Sequence, residues 1–477
     1  MDSNLTRRHF LAAASSTAMA PQILGAAADP GKMKAGTAKV DITPDRPRYT
    51  LPGAYTGHPE ALLLDPPNIY HPVHARCLTL YDGARRMVFV TYDLNCLDYA
   101  TPILRERLEK EGIPPAYLVL LGTHNHQVPM QTIPTNYDYG AWLAEKIYGG
   151  IKEAIAKEDG PVDLHFGFGH GYWLRCTGAT FADYEIQVLR VMKGGRPMAL
   201  LFNHPTHPQR GPIGYGPSHP GYAMDEVEAQ FPGALALYAD ACGGNQNPVA
   251  LPGLDDMAAC RRRGHDLAEE VVKVAKGPME EVTGAIESQL KVISLPLAEP
   301  MPYLKALELA RGIPLDAGMQ PPPHPARGTN WIRALLKHYK EGIPFPTKTS
   351  DMPCGEGGFF VAKLDKPTKY ECRFVEALAA KIGKLSFTAI QGEPTAPVGA
   401  RIKDVLRQKG PAMVFGYFAE RNLYIPTREL VRENAYQAQV IQIQFGSPVG
   451  WSPDAEDEMV KATLAMHGEK LPAERGG

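Results

Sequence analysis

Ala116–Met130, AYLVLLGTHNHQVPM, is the stretch from which the rest of the chain can be read. Its apolar run, Tyr117 to Leu121, is too short for an ordinary helix and predicts a buried strand ending at Gly122. Thr123, His124, Asn125 and His126 follow at the carboxyl end of that strand. In extended backbone, residues i and i+2 point the same way, so both imidazoles can face one pocket. Imidazole is the commonest metal-ligating side chain, and a pair at the mouth of a strand points to a metal site. The plainer alternative is a pair of histidines that cap the strand and donate to backbone carbonyls.

Outward from this stretch, sheet and helix signals alternate. Ala35–Pro44 predicts a strand closed by a proline turn, and Cys77–Tyr81 with Met87–Tyr92 flank Asp82-Gly83, a hairpin signal. Helices are expected at Pro102–Glu111 and Ala141–Ala156, the second with Leu143, Ile147, Ile151 and Ile155 on one stripe. A second hairpin joins Ile186–Met192 to Met198–Phe202, then come a strand at Ala234–Tyr238 and a helix at Met257–Lys276. Strands resume at Leu385–Ile390, Met413–Tyr417 and Val440–Phe445. The pattern predicts an α/β fold of layered mixed sheets with helices, with the site at strand carboxyl ends. Between them, residues 295–358 are rich in proline and read as an insertion, a lid beside the pocket or a plain linker.

Composition removes several function classes. The chain has 477 residues, 44% hydrophobic and 21% charged, with a net charge of −2, so no basic excess points to nucleic acid. Its seven cysteines form no CxxC pair, which argues against zinc held by thiolates. Thr6-Arg7-Arg8-His9-Phe10-Leu11 leads into a short apolar run with small residues after it. This predicts a twin-arginine export signal over residues 1–28 and a periplasmic or secreted protein. No later segment is long and apolar enough for a transmembrane helix.

Three further apolar runs end in candidate ligands. Met198–Phe202 leads to Asn203-His204-Pro205-Thr206-His207, Ser386–Ile390 to Gln391-Gly392-Glu393, and Asn422-Leu423 to Tyr424. Two imidazoles, a carboxylate and a phenolate would give zinc a nitrogen- and oxygen-rich shell.

These residues also carry a resemblance, to the catalytic part of the neutral/alkaline (non-lysosomal) ceramidase family. THNHQVP at 123–129 resembles that family's GTHTHSGP, and Asn203-His204-Pro205-Thr206 its second histidine motif. Gly392-Glu393-Pro394-Thr395 through Arg401 resembles GEFTTMAGRRL, and Tyr424-Ile425-Pro426-Thr427 with Tyr436 resembles its paired tyrosines. The resemblance spans most of residues 35–440 and implies a catalytic domain over 35–450, followed by a tail at 451–477 and lacking the family's immunoglobulin-like domain. It implies zinc bound by His124, His204, Glu393 and Tyr424, with His126, Arg175 and Tyr436 as catalytic residues lining the pocket. His207 then reads as a supporting or surface residue, and Asp240 as a cap on the following helix. The implied activity is hydrolysis of the amide bond of an N-acyl lipid or a related small amide by zinc-bound water. Peripheral membrane contact is compatible with such a substrate.

The chain departs from the family at Ala239–Asn245, where Cys242 falls near a serine position, and at Gln127. Two other readings follow from the residues: a (β/α)₈ metal-dependent amidohydrolase using 124, 126, 204 and 240, and an exported binding protein that kept the fold without catalysis.

Overall fold

The computed structural model describes residues 33–50, 61–131, 133–178, 181–312, 330–352, 368–370, 374–419 and 423–472. The expected export signal, Cys354 and Cys372, and much of the proline-rich insertion lie outside the described residues.

Two mixed sheets stack face to face. The larger has eight strands in the order Lys34–Asp41, His74–Tyr81, Arg86–Tyr92, Leu118–Gly122, Ala412–Phe418, Leu385–Gln391, Glu376–Ile382 and Ile286–Val292. The smaller runs Leu235–Asp240, Arg196–His204, Glu185–Lys193, Val162–His170 and Glu280–Glu281. Neighbours are antiparallel except Arg86–Tyr92 with Leu118–Gly122, Leu385–Gln391 with Ala412–Phe418, and Arg196–His204 with Leu235–Asp240. An open, mainly antiparallel sheet pair discards the (β/α)₈ reading, whose strands would be parallel and closed into a barrel.

Alternation along each strand assigns its faces. Val119 and Leu121 of the first sheet meet Leu201 and Leu237 of the second in the core between the sheets. Leu118 and Leu120 turn outward to helices Ala100–Lys110 and Tyr137–Ala156. Leu200, Phe202 and Tyr238 turn outward to helices Ser218–Gln230 and Asp256–Lys276. The layers are therefore helix, sheet, sheet, helix. Each fully buried Leu or Phe contributes roughly 1.5–3 kcal/mol, so a one-residue slip that swapped the two faces would be prohibitive.

Three expectations are corrected. Val440–Phe445 is not a strand: Val440–Ile443 completes helix Tyr436–Ile443, in which Gln437, Ala438 and Ile441 are buried together, the spacing of a helix face. Residues 451–472, expected as a tail, contain helix Ala455–Met466, whose Met459, Val460 and Leu464 join a core with Val398 and Ile402. Asp240 caps no helix; the next one begins at Asp256, and Asp255 caps it by accepting from Ala258 N–H at 2.7 Å. No helix among the described residues is long and apolar enough to cross a membrane.

Candidate metal centre

His124 owes its position to a turn immediately after a strand. It adopts φ 51°, a left-handed conformation that a non-glycine residue holds only when its surroundings impose it. Asn125 imposes it. Its buried carboxamide donates to the carbonyls of Asp93 (3.1 Å) and Gly216 (2.7 Å) and accepts from Gln127 N–H at 3.0 Å. The Asp93 loop is itself anchored by a fully buried ion pair with Arg76 at 2.9 Å. That loop carries Asn95, whose Nδ2–H donates to His124 Nδ1 at 3.2 Å and fixes the ring with Nε2 toward Glu393.

Glu393 and Tyr424 arrive together. Gly392, at φ 88°, lets Glu393 N–H donate to Leu423 O at 3.0 Å; a Cβ on Gly392 would sit 2.3 Å from that carbonyl. The two-residue parallel bridge that follows pairs Glu393 with Tyr424.

His207 completes the group. Its Nδ1 lies 3.0 Å from Gln246 O and 3.2 Å from Gly243 O, two acceptors, so Nδ1 carries hydrogen. Its Nε2 lies 3.1 Å from Glu393 Oε2 and 3.1 Å from Tyr424 OH. The same carboxylate oxygen is 3.2 Å from His124 Nε2. Ligand atoms of His124, His207 and Glu393, all buried, lie within 4.8 Å of one another.

The electrostatics suit a cation. Burial alone would raise Glu393, but His124 and His207 outweigh it and hold its carboxyl well below the usual carboxylate range. Burial lowers His124 against the pull of Glu393, and lowers His126 further with the help of the two neighbouring rings. Burial, then Glu393, pushes the Tyr424 hydroxyl well up. His207 Nε2 meets this ionised carboxylate at 3.1 Å. A proton or a metal cation between the two satisfies the contact, and imidazole with carboxylate is a donor set that zinc accepts.

Of the ligands expected from sequence, His124, Glu393 and Tyr424 converge, and His204 does not. On its strand His204 shares the face of Leu200 and Phe202, which looks toward the helices and away from the cleft. Its Nε2 lies 3.1 Å from Gly171 O, its ring packs on Trp173 at 4.8 Å, and burial pushes it down to about 3. His207 takes the place expected for His204. The signal was present: Pro205 interrupts the strand, and only a residue beyond that break is free to turn back. Asn95 and Tyr417, whose ring lies 4.4 Å from that of His124, had no sequence signal.

The group forms the floor of a cleft of about 840 Å³. His126 lies beside it, with Nε2 3.1 Å from His124 Nε2. Arg175 and Tyr436, the other expected catalytic residues, stand on the walls. Arg175 faces Asn247 across a short antiparallel ladder, and the Tyr436 hydroxyl accepts from Gln444 Nε2 at 2.7 Å. Cys242 is buried against Gly399, and burial pushes its thiol up to about 12, which keeps it protonated and unreactive.

No protein-family model and no curated protein matches the sequence. Solved structures do. Neutral ceramidase from Pseudomonas aeruginosa superposes with a TM-score of 0.63 at 17% identity, over 93% of this chain and 76% of that one. A ceramidase complexed with C2 superposes with a TM-score of 0.64 at 16% identity, over 93% of this chain and 77% of that one. The chain therefore has the fold of the neutral ceramidases along nearly its whole length.

Proposed function

We propose that this chain is an exported, zinc-dependent hydrolase that cleaves the amide bond of an N-acyl compound, either a ceramide-like lipid or a related small amide. The observation that carries the reading is the convergence of His124, His207 and Glu393 beneath an open cleft, with Tyr424 as a fourth donor. The fold shared with two proteins named as ceramidases supports the reaction class. The Arg7-Arg8 pair and the apolar run after it support export. Helix Asn330–Glu341 of the insertion packs against helix Tyr436–Ile443, which carries cleft residues; this supports a covering role for that helix.

Zinc, when bound, polarises the substrate carbonyl and lowers the pKa of water toward about 7. The protein's own residues do the rest. Tyr436, whose oxygen accepts from Gln444, can turn its hydroxyl to the developing oxyanion from the cleft wall, with Arg175 as a second donor. Losing one such donor typically costs about 3–4 kcal/mol of barrier. His126, neutral at its buried edge, can take a proton from the attacking water at Nε2 and return it to the leaving amine.

The test is metal analysis of the purified chain, with turnover of a panel of N-acyl amides measured with and without chelator. Zinc near one equivalent and chelator-sensitive turnover are expected. Absence of metal-sensitive turnover on every amide would return the binding-protein reading.

A further inference from the structure

Above the floor, the described wall of the cleft sets Arg175, Arg210 and the amides of Gln209, Asn247, Gln437 and Gln444 among Pro208, Pro248 and Ala250. Arg175 stands opposite Asn247, and the neighbouring Gln246 carbonyl accepts from both the backbone N–H and the ring of His207. Arg175 and Arg210, from separate segments, therefore line the same cleft. Apart from Glu393, Asp98 is the only carboxylate on the described wall, and its Oδ2 accepts from the Cys96 thiol at 3.0 Å.

A methylene gains about 0.8 kcal/mol only when it leaves water for an apolar partner. Against amides and guanidinium groups it gains little, and it strands their hydrogen-bonding capacity. An anion on the substrate does the reverse, because charge-assisted bonds to arginine are the strong ones.

We propose, resting on the hydrolase reading above, that the substrate is a short-chain N-acyl amino acid. Its carboxylate is held by Arg210, the residue that sets the preference for an anion. Hydrolysis breaks the amide C–N bond and forms a C–O bond from water. The acid and the amino acid leave, the proton passes from water to the amine, and nothing is oxidised or reduced.

The experiment compares kcat/KM of the zinc-loaded full chain on N-acetyl-alanine, N-acetyl-alaninamide and micellar N-palmitoylsphingosine. The carboxylate should exceed its carboxamide by about tenfold or more, as expected for a charge-assisted contact. The sphingolipid should be the poorest of the three. Arg210→Gln should bring the carboxylate-to-carboxamide ratio toward one, chiefly through KM, and Arg210→Lys should keep part of it. Equal turnover of the two small amides, a preference for the sphingolipid, or an unchanged ratio in Arg210→Gln would overturn the inference and leave the hydrolase standing. No turnover in any arm would remove both.

Discussion

His124 follows one buried strand and His204 ends another, yet only His124 reaches the carboxylate of Glu393. After Gly122 the chain turns through a left-handed residue, and Asn125 pins the turn so that His124 swings over the cleft. The strand ending at His204 keeps its pairing to the last residue, in register with Asp240. His204 is therefore bound to the face its parity dictates, among Phe202, Tyr238 and Trp173. Three residues later, past Pro205, His207 is free of the ladder and reaches Glu393. Both imidazoles that reach Glu393 lie beyond the end of strand pairing.

The comparison breaks most sharply on metal content. His207→Ala should weaken zinc binding more than a hundredfold, exceeding the effect typical of a residue that merely supports a ligand. His204→Ala should keep zinc at full stoichiometry while losing about 2–4 kcal/mol of stability to the cavity left behind. Equilibrium dialysis with metal analysis reads both; a folded His204→Ala protein that cannot hold zinc would refute the parity argument.

The turn before Glu393 offers a second contrast. Gly392→Ala forces a Cβ against the Leu423 carbonyl at φ 88° and should cost about 2–4 kcal/mol while displacing the carboxylate. Gly194→Ala, at φ 56° with nothing within 4 Å, should cost only about 1 kcal/mol. Urea unfolding of the two variants would show whether the site side of the sandwich is the more constrained one.

Acid should expose the helix-side histidines. Burial pushes both His204 and His219 down to about 3, against roughly 6.5 in an unfolded chain. Between those values the unfolded chain binds the additional protons, so stability rises with pH and falls on acidification. Moving the metal-free protein from pH 7 to pH 5 should cost about 2 kcal/mol per histidine. Denaturation midpoints that do not move over this range would mean that these rings are protonated in the fold. The smallest effect is expected at Asn95→Ala, which frees the His124 ring and should weaken zinc by about tenfold in a competition titration.

Legibility followed locality. The strand at 118–122, both hairpins and the Tyr137–Ala156 helix were readable because period and turn chemistry are local properties. Helix Tyr436–Ile443 was not: its apolar run is short enough to suit either structure, and burial against the neighbouring helices decided it. Among the site residues, His124, Glu393 and Tyr424 announced themselves by following apolar runs. Asn95 and Tyr417 did not, because each acts only through a ring contributed by a distant part of the chain.

By itself, the sequence determined a layered α/β chain with chemistry at its strand ends, since alternation, turns and charge balance are written residue by residue. Tertiary structure alone decided that His207 and not His204 meets Glu393. That choice depends on which face of the second sheet the cleft opens beside, which no local stretch encodes; Pro205 marks only where strand pairing ends.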